Sequence, residues 1–299
     1  MERFIDPRTL ARVKDLPLIA KTVADGFLHG HQQSHQRGVG VEFSQYRQYE
    51  PGDPLSRIDW KLFARSDRYF VREAERESEI TMWFVLDASA SMQQVSDALP
   101  DSWNKFEYAQ HLVATLAYIA QKQGDNVGFL AVAGERQVLL PPGNGERHWH
   151  RLLKLLIQLQ SADHFPEVSL MKSAIDRLQK NSLVFIISDF YQLSNEIDEF
   201  VNQVTAGHNE VVALQLQCED ELTFPFKGAI RFEDLETKEQ VLVSASSARD
   251  VWLKAIEHHH QELLTFMRQR QVSLLAVNIN QPMDQTLHDF LISRQKVIR

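Results

Sequence analysis

From Thr81 to the end of the chain, short apolar runs alternate with stretches of helical period. Met82-Trp83-Phe84-Val85-Leu86, Val127 to Val132, Leu183-Val184-Phe185-Ile186-Ile187, Val211 to Leu216 and Val272 to Val277 are near-continuous apolar segments of strand length. Such runs belong to strands covered on both faces. Asn104 followed by Glu107 forms a capping-box pattern and predicts a helix to Gln123, ended by Gly124. Phe106, Ala109, Val113, Leu116 and Ala120 line its buried face. Further helices are expected around Trp149 to Leu159, Ser169 to Leu178, Ile197 to Thr205, Ala248 to Arg270 and Met283 to Ser293. Gln137 to Leu140 reads as a strand closed by Pro141-Pro142-Gly143, and Ala229 to Phe232 with Gln240 to Val243 as an inserted β-hairpin. The alternation implies an α/β domain, doubly wound around a mostly parallel sheet, with ligands expected at the carboxyl ends of the strands.

The segment before Thr81 differs. Leu10, Val13, Leu16 and Ile19 suggest a helix from Thr9 to Phe27, with a kink or break at Pro17. Gly26 and Gly30 with His29, His31 and His35 mark a polar loop, read as solvated rather than metal-binding. Val39, Val41, Phe43, Tyr46 and Tyr49 predict extended structure up to a Pro51-Gly52-Asp53 turn, and Tyr69-Phe70-Val71 a further strand. Arg72 to Glu79 reads as a solvated charge run. Two regions result: an N-terminal helical/β extension over 1–80 and an α/β domain over 81–299 with its hairpin near 229–243.

Composition narrows the class. The 299 residues carry 32 Lys+Arg against 40 Asp+Glu, a formal net charge of −8, with 43% hydrophobic and 24% charged residues. That balance excludes collagen, coiled coil and disorder, and an acidic chain opposes wholesale nucleic-acid binding. The lone cysteine, Cys218, cannot form an internal disulfide. No apolar run reaches the roughly 18 residues of a membrane span, and the N-terminus has no apolar leader, so a cytoplasmic location is expected. His258-His259-His260 point in three directions on a helix and read as surface residues.

The candidate chemistry lies at strand ends. The first buried strand runs into Asp87-Ala88-Ser89-Ala90-Ser91, and a later one into Ser188-Asp189. Asp87, Ser89 and Ser91 set three oxygens in one tight loop, Asp189 offers a second carboxylate, and Ser169 a further hydroxyl. Such oxygens suit a hard divalent cation. Hydroxyl ligands leave that cation charge to spare, and the fitting occupant of its open position is a carboxylate from another protein. The alternative is that Asp87 and the serines merely cap a loop.

Asp87-Ala88-Ser89-Ala90-Ser91 resembles the metal-ion-dependent adhesion site of von Willebrand factor type A domains. Upstream, Gly38 to Phe43, Arg47-Gln48-Tyr49-Glu50-Pro51-Gly52-Asp53 and Arg57-Ile58-Asp59-Trp60 with Ala64-Arg65 resemble the signature of the domain of unknown function 58 family. The resemblance implies a von Willebrand factor type A-like, Rossmann-like fold. It also implies Mg²⁺, Mn²⁺ or Ca²⁺ on Asp87, Ser89, Ser91, Ser169 and Asp189, with Ser169 standing where type A domains usually carry Thr after Gly. Loss of that glycine implies weak binding, or binding completed only by a partner. It further implies a MoxR-type AAA+ ATPase as partner in chaperone-like assembly or maturation, with a client protein offering an acidic residue.

Arg47, Tyr49, Arg57, Trp60 and Arg65 admit two readings. They are either a docking face or an internal network in which Arg57 and Arg65 pair with Asp53 and Asp59. The intervening aspartates oppose phosphate. No G-x-x-x-x-G-K-[ST] pattern is present, so ATP hydrolysis is assigned to a partner. Three functions compete: a non-catalytic metal-dependent adaptor, a metal-free scaffold, and a phosphatase or phosphotransferase with Asp87 as nucleophile. Ser89 stands where the third would need a second acid.

Overall fold

Asp15 accepts a hydrogen bond from the Leu18 amide at 3.0 Å and opens helix α1, residues 16–24. Pro17 falls in the first turn, where its missing N–H costs nothing, so it starts a helix instead of kinking one. This computed structural model describes residues 15–24, 45–48, 70–73, 80–96, 103–178 and 181–288.

By compactness the chain divides into Met1–Leu28 with Ile80–Arg299, and His29–Glu79. In the smaller unit the described residues form an antiparallel pair, β1 (Gln45–Gln48) and β2 (Phe70–Glu73), with Gln45 opposite Glu73. Tyr49, Arg57, Trp60 and Arg65 lie outside the described residues, as do His29, His31 and His35; Arg47 is placed only as a β1 backbone position. In the larger unit Leu16, Ile19, Ala20, Val23 and Ala24 of α1 are core residues. The first helix thus belongs to the α/β unit and not to the expected 1–80 extension.

That unit continues through β3 (Thr81–Asp87), a 3₁₀ turn (Ala90–Gln93), α2 (Lys105–Gln123), β4 (Asn126–Ala133), β5 (Arg136–Gly143), α3 (Glu146–Gln158) and α4 (Val168–Ile175). Next come β6 (Leu183–Ser188), α5 (Glu196–Ala206), β7 (Glu210–Gln217) and α6 (Glu219–Thr223). The hairpin β8 (Ala229–Glu233) and β9 (Gln240–Ser244) leads into α7 (Ala245–Gln269), β10 (Ser273–Asn278) and a helical stretch, α8, at 283–288. The sheet order is β10-β7-β6-β3-β4-β5. Every pairing in it is parallel except β4 with β5. β5 is an edge strand, so it runs through Pro141 and Pro142, where the expectation closed it; an edge position tolerates the lost donors.

Strand alternation divides the core between two faces. Phe84, Leu86, Phe129, Ala131, Phe185 and Ile187 pack with α1, α2 and α3. Trp83, Val85, Leu130, Val132, Val184 and Ile186 pack with α4, α5 and α7. Asn104 caps α2 as expected: Oδ1 accepts from the Glu107 amide at 2.7 Å, and Glu107 Oε2 from the Asn104 amide at 3.2 Å. Gly124, at φ 87°, ends the helix. The chain passes from β3 to β4 on one side, and β6 pairs on the other. The carboxyl ends of β3 and β6 therefore flank the crevice where such sheets take ligands.

Gly128 on β4 is set by the Trp83 indole, since a Cβ there would lie 2.6 Å from the ring. Gly128→Ala is expected to destabilise the fold by about 1–3 kcal/mol through overpacking, read as a lower urea midpoint at unchanged slope.

Candidate functional site

Asp87 ends β3, and parity puts its side chain on the same sheet face as Ser188 at the end of β6. The two meet: Ser188 Oγ donates to Asp87 Oδ2 at 2.6 Å, while the Ser89 amide donates to Asp87 Oδ1 at 2.8 Å. Ser89 Oγ and Ser91 Oγ are 3.0 Å apart. The Phe190 amide donates to Ser188 Oγ at 2.8 Å, although Phe190 carries a left-handed φ of 61°. A buried ring and that hydrogen bond hold a conformation which costs a bulky residue on the order of 1–3 kcal/mol.

Asp189 faces a lysine. Lys105, the first residue of α2, is fully buried, with its Nζ 3.2 Å from Asp189 Oδ2, 2.8 Å from Glu221 Oε1 and 3.4 Å from Gln94 Oε1. The Tyr191 ring lies 5.2 Å from the same nitrogen. Burial works to lower the Lys105 pKa, but Asp189 and Glu221 outweigh it and hold the pKa above the ordinary value. Asp189 Oδ1 also accepts from the Tyr191 amide at 3.1 Å. Glu221 Oε2 accepts from the Cys218 amide at 2.7 Å, which anchors α6 just after β7.

A third carboxylate arrives from the inserted hairpin. Asp234 Oδ1 accepts from the Glu236 and Thr237 amides at 2.8 and 2.9 Å, fixing the β8–β9 turn. Phe232 stacks on Trp252 of α7 at 5.5 Å and meets Phe226 edge-on at 5.6 Å, which docks the hairpin. Glu236 then lines one groove with Ser91 and Asp189, and its Oε1 is buried without a hydrogen-bond partner. Burial, reinforced by Asp87 and Asp189, raises the Glu236 pKa to about 7, against a lowering by the Ser91 hydroxyl. Burial and the Asp189 charge likewise raise Asp87 to about 6, opposed by hydrogen bonds from Ser188 and Ser89.

Asp87, Ser89, Ser91 and Asp189 therefore gather at the ends of β3 and β6. Ser169 does not join them. It is exposed on α4 and bonds Glu167 Oε2 at 3.3 Å. The segment packed against the 88–91 turn is 161–164, through Ala90 N to Asp163 O (2.8 Å) and Ala162 N to Ala88 O (2.9 Å). Ser161 is the hydroxyl-bearing residue there. The three consecutive histidines also differ from expectation. His258 is exposed beside Glu262, but His259 stacks on Tyr191 at 5.1 Å and His260 Nδ1 meets Gln215 Oε1 at 2.9 Å. Lys105, Glu221 and Glu236 were missed. Lys105 precedes Ala109 and Leu112 by four and seven residues, a buried-face position that was readable; Glu236 has no local signal.

The donors fit a hard cation in chemistry: carboxylates and hydroxyls only, one carboxylate oxygen orphaned, and like charges crowded. No group of three or more His, Cys, Asp or Glu among the described residues is arranged to hold an ion, so the serine hydroxyls are indispensable to such a site. Among the described residues no helix is long and apolar enough to cross a membrane.

The model of a family described as "Protein of unknown function DUF58" matches residues 45–262. An uncharacterized protein of Mycobacterium bovis is 26% identical over 296 residues, 97% of this chain and 91% of its own length. An aerotolerance-related membrane protein from Bacteroides fragilis aligns over 70% of this chain and 97% of its own, at 14% identity and TM-score 0.44. The VWA domain of SpRpn10 aligns over 70% and 94%, at 9% identity and TM-score 0.38. At those scores the architecture rests on the sheet order itself.

Removing the buried ammonium leaves two carboxylates uncompensated, so Lys105→Met is expected to cost about 3–5 kcal/mol in urea unfolding. Adding Glu221→Gln should recover part of that loss; a neutral single variant would contradict the pairing. Asp87 titrates at about 6 when folded against an ordinary 3.8, so the folded chain binds more protons across that window. The Asp87 contribution is therefore fully present below the lower value and lost as pH rises through the upper one. In chelator, the stability advantage of Asp87→Asn over wild type should grow between about pH 4 and pH 6; an advantage flat across that range contradicts the raised pKa.

Proposed function

We propose, on the premise that the chain belongs to the DUF58 family, that it is a non-catalytic protein-binding module with a divalent-cation site at the ends of β3 and β6. The observation that carries this reading is the convergence of Asp87, Ser89, Ser91, Asp189 and Glu236, with Glu236 Oε1 buried and unpartnered. Ser89, Ser91 and Glu236 would hold Mg²⁺ or Mn²⁺ directly, with Asp87 and Asp189 behind them as charge and as anchors for bound water. When bound, the cation supplies a positive centre for a carboxylate. Asp87, Asp189, Glu221 and Glu236 outnumber the charge of Lys105 and a divalent cation by one, so the client's acidic residue enters by displacing Glu236. Glu236 is thus the chain's own stand-in for that acid.

The partnership with a MoxR-type AAA+ ATPase in client assembly or maturation is part of the proposal and rests on the family resemblance alone. A nucleophilic role for Asp87 is disfavoured, because both its oxygens are engaged and Ser89 occupies the position needed for a second acid. A metal-free scaffold is the second reading. It is favoured by Lys105, which already neutralises Asp189 without an ion.

Millimolar Mg²⁺ is expected to raise the melting temperature of the wild-type chain, by an amount equivalent to about 2.7 kcal/mol at a hundred times Kd. Asp87→Ala or Ser91→Ala should remove that shift while the chain stays folded. Unchanged melting across metals supports the scaffold. Turnover of a phosphate ester that vanishes in Asp87→Asn overturns the non-catalytic reading.

A further inference from the structure

Beside the strand-end site lies a groove of about 870 Å³, walled by the 3₁₀ turn, the segment after β6, α6, the hairpin and α7. Asp189, Asp220, Glu221, Glu233, Asp234 and Glu236 line it, and no Lys or Arg does among the described residues. Lys105 sits behind Asp189 and Glu221, and the exposed Lys238 reaches Glu233 only at 4.0 Å. Phe226, Phe232 and Trp252 supply an aromatic wall. Two atoms of lining residues are buried and unpartnered, Glu236 Oε1 and His259 Nε2. An ionised carboxylate oxygen only accepts hydrogen bonds, so what Glu236 Oε1 lacks is a donor.

We propose that this groove binds an extended, Lys- or Arg-bearing segment of a partner protein. The cationic head meets the hairpin carboxylates and donates to the orphaned Glu236 oxygen. Its aliphatic stem, or the plane of a guanidinium, packs on Trp252 and Phe232. Aromatic faces attract cations within about 6 Å, as the Tyr191 ring does for Lys105. Glu233 and Asp234 at the hairpin end set the preference for positive charge, and the ring wall favours Arg over a compact ammonium. The groove shares Glu236 with the proposed cation site but needs no cation, so it is tested without metal.

The test is fluorescence anisotropy of labelled hexaarginine with the full chain in chelator, beside hexaglutamate of equal length. Hexaarginine is expected to bind and hexaglutamate not, with affinity falling as salt rises. The double variant Glu233→Gln/Glu236→Gln should weaken binding at least about fivefold, while Glu146→Gln/Glu257→Gln, exposed elsewhere, should change it less than about twofold. Intrinsic tryptophan emission should respond to hexaarginine in wild type and lose that response in Trp252→Phe. Equal weakening by both double variants, or a response that survives Trp252→Phe, overturns the proposal. The chain's own Arg294, Lys296 and Arg299 are the rival occupants. If replacing all three by Gln in the full chain tightens hexaarginine binding about tenfold, the groove belongs to that segment and the partner reading fails.

Discussion

An ammonium with no access to water is held at the centre of the candidate site, and the surrounding loops are arranged around it. Lys105 Nζ reaches Gln94 after β3, Asp189 after β6 and Glu221 in α6 after β7. Those strands are neighbours in the sheet, so one charge ties three consecutive carboxyl ends together. Taking a lysine and two carboxylates out of water costs several kcal/mol per ion, and the mutual attraction offsets this only with close geometry and additional hydrogen bonds. The Tyr191 and Cys218 amides supply some of those bonds. The triad therefore specifies loop positions more than it adds stability.

Once Lys105 has taken Asp189 and Glu221, the remaining negative charge has no internal answer. Asp87 settles into hydrogen bonds from Ser188 and Ser89, which lower its pKa but not enough to cancel burial and the Asp189 charge. Glu236 is in a similar position at the opposite wall, with one oxygen unpaired. It is kept there by distant choices: Asp234 folds the turn, and Phe232 on Trp252 seats the hairpin. A carboxylate raised to about 7 is the signature of a group held where solvent and neighbours disfavour its charge. Packing energy from the aromatic cluster maintains that unfavourable electrostatic placement.

The sheet was legible because buried strands write themselves as uninterrupted apolar runs, and the caps of α2 because Asn104, Glu107 and Gly124 act locally. Asp87, Ser89, Ser91 and Asp189 were legible for a related reason: polar residues directly after buried strands must lie at the sheet's carboxyl end. Ser169 misled because the middle loop was sought by residue type, whereas backbone pairing selects 161–164. Glu236 was invisible because its position depends on where a hairpin lands on α7, a non-local fact. Lys105 was half-visible. Its place on the apolar face is periodic, but its partners lie 84 and 116 residues away.

The groove and the strand-end site share Glu236, and this couples them. A cation bound at the serines would draw on that carboxylate, and so would a positively charged side chain entering along Trp252. Each occupant would remove negative potential that the other uses, so by linkage each would weaken the other by the same factor. A client acid that displaced Glu236 from the cation would have the opposite effect, because it would return a free carboxylate to the groove. On the proposed reading, an acidic residue at the strand ends and a basic residue along the hairpin would therefore reinforce each other on one partner segment. A partner carrying both signs at the right spacing would gain from both sites, whereas one carrying a single sign would engage only one of them.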